Sequence, residues 1–377
     1  MLFPYIYVPH KMEKMQAFID FIFHEVWCKA PASGAFGLHL FDANTELREV
    51  MEAFYYSDTQ GADFFHGHVE RIYGLFSALD AAQINQFQRW YQGNNDLEKV
   101  CANDPATHLV RYTDIAAAHQ DLGEQLAVFF KGLYAQSFLD LAVLRDKIGD
   151  IANHYQTFVS TNAAGKCPFC GIGDIKGTHH TKREAYDHYL PKALYPFNSM
   201  NFRNLAPACH ECNSTYKLSK DPAHNLAGRR KAFNPYAAAS HTIQIQITLK
   251  HADVDKLLPA DITMHFGPAA VAEELDTWKD VYGIEERYKA KLCGENDGKY
   301  WLTQVLDECQ AHDKRPADII AMRAAQAQSK PYADCNFLRK PFLDAFQPII
   351  PLLNFSTAAK LHIGNQLKPV ETKVSTP

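Results

Sequence analysis

Two C-x-x-C pairs, Cys167-Pro168-Phe169-Cys170 and Cys209-His210-Glu211-Cys212, limit what this chain can fold into more than any other feature. Each pair presents two sulfurs from one tight knuckle, and two knuckles close a tetrahedral site of the kind zinc takes in a structural role. Four cysteine ligands leave no position for water. Cys167, Cys170, Cys209 and Cys212 are therefore expected to hold a structural zinc whose removal unfolds the segment around it. A redox use needs only one pair and leaves the other unexplained. A deaminase-type zinc site is excluded, because no H-x-E precedes a P-C-x-x-C and all four cysteines are already used. The nine cysteines of the 377 residues are also a poor disulfide framework, being odd in number and lacking a secretory-type start at Met1–His10.

Between Cys170 and Cys209 lie 38 residues, more than the ~15–20 of a simple zinc ribbon. The insert contains Asp187-His188 and Asn204, and the second knuckle runs directly into Asn213 and Lys217. Phosphodiester hydrolysis needs a base for water, a cation for the charge developing on phosphate, and a scaffold fixing both. His188 suits the base, since a neutral imidazole titrates near the working pH. Asp187 offers a hard carboxylate and Asn213 a hard amide oxygen, a pair that suits Mg²⁺ or Mn²⁺. Neighbours on an ideal strand point to opposite faces, so Asp187 and His188 meet one phosphate only if the strand bends, and Pro191 follows closely. A plainer reading makes His188 a hydrogen-bond partner of a zinc-ligating sulfur.

These stations, in this order, resemble the HNH endonucleases of the ββα-metal (His-Me finger) superfamily, in the subgroup stapled by a four-cysteine zinc. In that family an Asp-His pair ends the first strand, an Asn begins the second, and C-x-x-C-N opens a helix. The resemblance covers residues 166–236 and implies a metal-dependent endonuclease acting on DNA. It makes Asp187, His188, Asn204 and Asn213 the catalytic set, with Asn204 tethering the loop that orients His188. Asn213 stands where the name-giving pattern has histidine, which favours Mg²⁺ or Mn²⁺ over softer metals. Phe233-Asn234-Pro235-Tyr236 before a strand looks like the HNH proteins of bacterial anti-phage systems such as retrons and Septu, which implies a defence effector.

The net charge of −5 argues against a large polyanion-binding surface, but it is unevenly spread. Residues 166–231 carry eleven basic and five acidic side chains, +6, leaving −11 for the remainder. Such an island suits a local phosphate-binding surface, with Lys217, Lys192, Arg203 and Lys220 as substrate-binding candidates; a solvated loop of mixed charge, or an exposed helix lysine at 217, is the plainer alternative. Binding by the chain alone is expected to be weak, salt-sensitive and backbone-directed, so a regulatory protein partner such as an ATPase, or a homo-oligomer, is open. The competing reading from another class is a zinc-stabilised nucleic-acid-binding or adaptor protein without catalysis. His66, His68, His179, His180 and His210 read as ordinary core or surface histidines.

The fold class expected is mostly α with a small α+β core. Residues 1–159 read as a helical N-terminal domain, 160–236 as the ββα-metal unit with zinc, and 237–377 as a C-terminal region of strands then helices. Met15, Phe18, Ile22 and Val26 have helical spacing. So do Leu141, Leu144, Ile148, Ile151, Tyr155 and Phe158, read as one helix capped at Ser137 that packs in its own domain or forms an oligomer seam. Ala30–Gly34 reads as a loop. Ile243, Ile245, Ile247 and Leu249 alternate with polar residues as a half-buried strand, which Ile262, Met264 and Phe266 could pair with. Helical spacing returns at Leu275, Trp278 and Val281, then at Ile284, Tyr288 and Leu292. Lys368–Pro377 read as a frayed end. The charge-free stretch before Lys360 is broken by Pro348 and Pro351, so no membrane span is expected, and the protein is read as cytoplasmic.

Overall fold

The computed structural model describes residues 1–312 and 314–352, so the expected fraying at Lys368–Pro377 lies outside the described residues. Internal contacts divide the chain into two compact units, one of residues 1–243 and 267–284, the other of residues 244–266 and those from 285 onward.

The first unit begins with helices. The principal ones are α1 (Glu13–Phe21, prolonged by a π-helical segment Ile22–Trp27), α2 (Gln60–Phe76), α3 (Ala81–Asn95), α4 (Gln120–Gly132) and α5 (Ile151–Thr161). Met15, Phe18, Ile22 and Val26 are all buried, as their spacing requires of an amphipathic face. The core they enter is aromatic. Phe23 stacks on Tyr91 with ring centroids 4.0 Å apart, Trp27 on Phe76 at 5.9 Å, and Phe129 meets Trp27 edge-on at 5.5 Å. α3 starts from a capping box in which Asp80 accepts from the Gln83 N–H and Gln83 accepts from the Asp80 N–H.

The stripe from Leu141 to Phe158 is not one helix. Gly149 adopts φ +76°, a left-handed conformation that ends the segment Ala142–Ile148. Asp150 then restarts the chain as α5 by accepting from the Asn153 N–H at 2.9 Å. Ser137 lies inside a separate short helix, Gln136–Leu139. The spacing survives the break because Leu144, Ile148, Ile151, Tyr155 and Phe158 all remain buried. Ala30–Ser33, read as loop, forms a short helix closed by Gly34 at φ +76°.

After α5 the chain forms the first knuckle and then strand β1 (Tyr186–His188), which pairs antiparallel with β2 (Leu205–Pro207) in the register Tyr186↔Pro207, Asp187↔Ala206, His188↔Leu205. A π-helical segment, Glu211–Lys217, begins within the second knuckle and contains Cys212, and a short hairpin pairs β3 (His224–Asn225) with β4 (Gly228–Arg229). Helix α6 (Ala272–Tyr282) braces the first knuckle: Trp278 Nε1 donates to the Phe169 carbonyl at 2.6 Å and Tyr282 stacks on Phe169 at 4.9 Å. The helical part and the strand part share a core, with Leu97 and Val100 packed among Leu190, Tyr195 and Ala223.

The second unit holds β5 (Gln244–Leu249) paired with β6 (Ile262–Gly267), and helices α7 (Ile284–Leu292), α8 (Gly298–His312), α9 (Pro316–Ser329) and α10 (Asn336–Phe346). Ile247, Leu249, Ile262 and Met264 are buried while Gln246, Thr248, Thr263 and His265 are exposed, the alternation expected of strands with one covered face. α10 lies against β5. The architecture is a mostly helical N-terminal region, a small mixed core with antiparallel strands, and a C-terminal region of strands and helices.

Candidate functional site

The four knuckle cysteines are buried together, with all four sulfurs within 4.8 Å of one another and Cys170 Sγ 3.8 Å from Cys209 Sγ. That separation matches the edge of a tetrahedron with Zn–S bonds of about 2.3 Å. The knuckle is shaped by backbone bonds: Gly171 N–H donates to the Cys167 carbonyl at 2.7 Å with φ +69°, and Cys167 N–H donates to the Gly173 carbonyl at 2.8 Å. Gly173 is needed for want of a side chain, since a Cβ there would sit 2.7 Å from Cys209 Sγ. Burial pushes the Cys167 and Cys212 thiols up while the hydrogen bond from Cys167 pulls Cys209 down, so a full set of four thiolates forms here only around a cation. The donor set and its spacing fit zinc in a structural role.

All three residues of β1 are buried. Asp187 and His188 have different surroundings, as the alternation of a strand dictates, so the regular hairpin does not show the convergence on one phosphate expected of a bend near Pro191. The Asp187 carboxylate faces Lys217, whose Nζ donates to Asp187 Oδ1 and to the His188 carbonyl, each at 2.8 Å. Asp187 Oδ2 is buried with no hydrogen-bond partner. Burial pushes the Asp187 carboxyl up, and the Lys217 ammonium draws it back. The His188 ring lies against Tyr134, edge-on with centroids 4.7 Å apart, and its Nε2 lies 3.0 Å from the Ser199 carbonyl. A carbonyl only accepts, so Nε2 carries the proton and Nδ1 is the free basic nitrogen. Burial, then the nearby Lys192 ammonium, pulls His188 down to about 3, so the imidazole is neutral at pH 7.

Asn204 precedes β2 and is fully buried. Its Oδ1 accepts from the Leu190 N–H at 2.7 Å, and its Nδ2 donates to the Leu190 carbonyl at 3.1 Å and the Asn198 carbonyl at 3.3 Å. One amide thus joins the exit of β1 to the loop that carries Ser199. Asn213 is half-buried; its N–H donates to the Cys209 carbonyl and its carbonyl accepts from Leu218 N–H across the π turn. Tyr236 supports the same hairpin by donating from its hydroxyl to the Leu205 carbonyl at 2.5 Å.

The four basic candidates are placed differently from one another. Lys217 is buried on Asp187. Lys192 Nζ donates to the Lys131 carbonyl at 3.2 Å and lies over the Tyr134 ring. Arg203 is exposed, with its guanidinium 4.3 Å from the Tyr7 ring centroid, and lines a cleft of about 1390 Å³ together with Asp20, Arg89, Tyr91, Asn95 and Tyr236. Lys220 is exposed and donates to the Asp280 carbonyl. The basic island is partly neutralised within the fold, since Lys166, Lys176 and Arg230 pair with Asp174, Glu184 and Asp280. His179, His180 and His210 are exposed.

Sequence reasoning missed Ser199, Tyr134 and Phe197. Ser199 acts through its backbone carbonyl, which has no residue-type signature. Tyr134 and Phe197 look like any aromatic of the chain until the fold brings them to the site. The amides Asn94, Asn95, Asn198 and Asn201 were missed as well, because no local pattern signals that two segments so far apart in the chain meet.

Over 97 residues the chain is 35% identical to Protein ea31 of Escherichia phage lambda, covering 25% of this chain and 28% of that protein. Over 169 residues it is 24% identical to the Septu protein PtuB of Bacillus thuringiensis, covering 42% of this chain and 63% of that one. The chain spans less than two thirds of the length of either relative. No protein-family model matches it, and no solved structure does. The four-cysteine cluster and the likeness to a Septu-system protein point to a zinc-binding domain. No helix among the described residues is long and apolar enough to cross a membrane.

Proposed function

We propose that the chain is a metal-dependent endonuclease of the HNH type that hydrolyses DNA, in an effector role in defence against phage. The observation that carries this reading is how His188 is held: its Nε2 donates to the Ser199 carbonyl, which leaves Nδ1 as the ring nitrogen able to accept a proton from water, and binding of substrate and metal must raise the imidazole from the low value burial gives it for that transfer to be effective. The resemblance of residues 166–236 to HNH endonucleases and the likeness to the Septu protein PtuB support it.

The fit for a divalent ion rests on Asp187. Its Oδ2 is a buried carboxylate oxygen without a partner, a hard donor of the kind Mg²⁺ or Mn²⁺ takes. Asp187 and Asn213 would hold the ion, which when bound supplies charge neutralisation at the scissile phosphate. His188 accepts the proton of the attacking water, and Asn204 keeps the loop bearing Ser199 in register with β1. Lys217 opposes the effect of burial on Asp187 by donating to its other oxygen. In-line attack leaves 5′-phosphate and 3′-hydroxyl ends. The separate reading of residues 1–159, 160–236 and 237–377 as domains belongs to the same proposal.

A second reading, a zinc-stabilised nucleic-acid-binding or adaptor protein, is favoured by the closure of the site. Asp187 is 3% exposed and His188 9% exposed, so a phosphate reaches them only if the residues packed around them move. Closure of this kind also suits an effector licensed by a partner such as an ATPase, or by assembly with its own copies.

Plasmid incubated with wild type and His188→Ala, in Mg²⁺, Mn²⁺ or EDTA and with or without the native partner set, separates the two. The nuclease reading expects nicked or linear product from wild type with metal and none from the variant. Equal nucleic-acid binding and equal phage protection by both proteins, with no cleavage by either, would establish the adaptor.

A further inference from the structure

The loop that holds His188 is built onto the end of helix α3. The last carbonyls of a helix have no partner within it and must be satisfied from outside. At the end of α3 two of them are satisfied by loop amides: Asn198 Nδ2 donates to the Asn94 carbonyl at 3.0 Å, and Asn201 Nδ2 donates to the Asn95 carbonyl at 3.2 Å. The bonds are reciprocated. Asn94 Nδ2 donates to the Pro196 carbonyl at 3.0 Å, Asn95 Nδ2 to the Phe197 carbonyl at 3.3 Å, and Asn95 Oδ1 accepts from Asn201 Nδ2 at 3.0 Å. Ser199, whose carbonyl accepts from His188, lies between these tethers.

A third anchor is apolar. Phe197 adopts φ +78°, a left-handed conformation that a residue with a Cβ takes only at an energetic cost. Its ring is fully buried in the aromatic core of the helical part, 5.4 Å from Phe23, 5.2 Å from Tyr91 and 5.3 Å from Phe130 between centroids. Burying that ring offsets the backbone cost and fixes the loop at its start.

We infer that Asn95, Asn201 and Phe197 are positioning residues for His188, so that the helical part of the chain acts as the jig for the imidazole. Asn95 and Asn201 touch neither His188 nor any group assigned a chemical role. They act through the Ser199 carbonyl, which sets the ring's tautomer and its aim. The inference rests on the nuclease reading for its catalytic consequence and on geometry alone for the imidazole.

The test uses the full chain with Asn201→Asp and Asn95→Ala, singly and together. Asn201→Asp is isosteric and keeps the oxygen that accepts from the Arg203 N–H at 2.9 Å, but puts oxygen in place of the donating nitrogen. Nitrogen-15 shifts of the histidine rings, with His188→Ala to assign the signal, read the tautomer directly. Wild type is expected to show a single Nε2–H form at His188, and both variants a mixture, with thermal melts confirming that they are folded. Cleavage of a plasmid at saturating metal should lose kcat on the order of tenfold or more at unchanged KM, and the double variant should lose little beyond the worse single.

An unchanged His188 tautomer in both folded variants would overturn the inference, whatever the activity. Equal falls in binding and turnover would also overturn it, since a jig acts on chemistry alone. A tautomer change in proteins none of which cleaves, wild type included, would uphold the positioning of His188 while removing the nuclease reading. If Asn201→Asp fails to fold, Asn95→Ala carries the same test from the helix side.

Discussion

Lys217 Nζ lies 2.8 Å from Asp187 Oδ1 and 2.8 Å from the His188 carbonyl, with the Lys217 side chain 1% exposed and that of Asp187 3% exposed. A buried ion pair adds little net stability when whole, because desolvation opposes the attraction, but removing one partner leaves the other charge uncompensated. Lys217→Met should therefore destabilise the first unit by about 3–5 kcal/mol. Combining it with Asp187→Asn should restore part of the loss, the remainder reflecting the unpaired His188 carbonyl. Urea unfolding measures both. A single substitution costing under ~1 kcal/mol would put Lys217 in the ordinary class of surface lysines.

The four-cysteine cluster couples metal to folding. Stripping metal with a strong chelator should unfold the knuckles, seen as loss of fluorescence from Trp278, whose indole donates to the Phe169 carbonyl. Gly173→Ala should retain the four ligands yet weaken the site, because its Cβ would meet Cys209 Sγ at 2.7 Å. A cost of about 1–3 kcal/mol is expected, with lowered zinc content by atomic absorption. Full zinc occupancy and unchanged stability in Gly173→Ala would contradict the packing argument.

Tyr134 covers one side of the His188 ring. Tyr134→Ala should raise the rate at which diethyl pyrocarbonate modifies His188 severalfold, read by mass spectrometry, while exposed His179 and His180 react as before. An unchanged rate would mean that solvent reaches the imidazole by another route.

His154 gives a pH dependence with a definite sign. It is buried, with Nδ1 2.5 Å from the Tyr186 hydroxyl and Nε2 3.2 Å from the Val8 carbonyl, and burial pulls it down to about 4. The unfolded chain, with a histidine near 6.5, binds more protons than the folded one between those values. The contribution of His154 to stability is full above pH 6.5 and is lost as pH falls toward 4, by roughly 3 kcal/mol. Urea midpoints at pH 7.5 and pH 5 should differ more in wild type than in His154→Gln. Equal pH sensitivity in the two proteins would assign the loss to other groups.

Much of the fold could be read along the chain wherever a short-range pattern decided it. The alternation at Ile247 and Leu249, and again at Ile262 and Met264, identifies strands because one face of each is covered. The spacing of Leu275, Trp278 and Val281 marks α6 for the same reason. The stripe from Leu141 to Phe158 misled because hydrophobic period is blind to a single backbone torsion: Gly149 turns the chain while leaving the buried side chains in phase. Lys217 misled in another way. A lysine one turn past Asn213 reads as free to meet phosphate, and only the packing of the π-helical segment against β1 places it in the interior.

What the sequence determined by itself is the four-cysteine cluster and its neighbourhood. Four cysteines in two knuckles leave one sensible arrangement, with Asp187, His188 and Asn204 between the knuckles and Asn213 directly after the second. The tertiary structure alone decided how His188 is held. The Ser199 carbonyl carries no side-chain signature, and the amides that fix it come from a helix about a hundred residues earlier. Hydrogen bonds between backbone and distant side chains depend on where chains cross, and crossing points are set by the packing of whole elements rather than by any local run of residues.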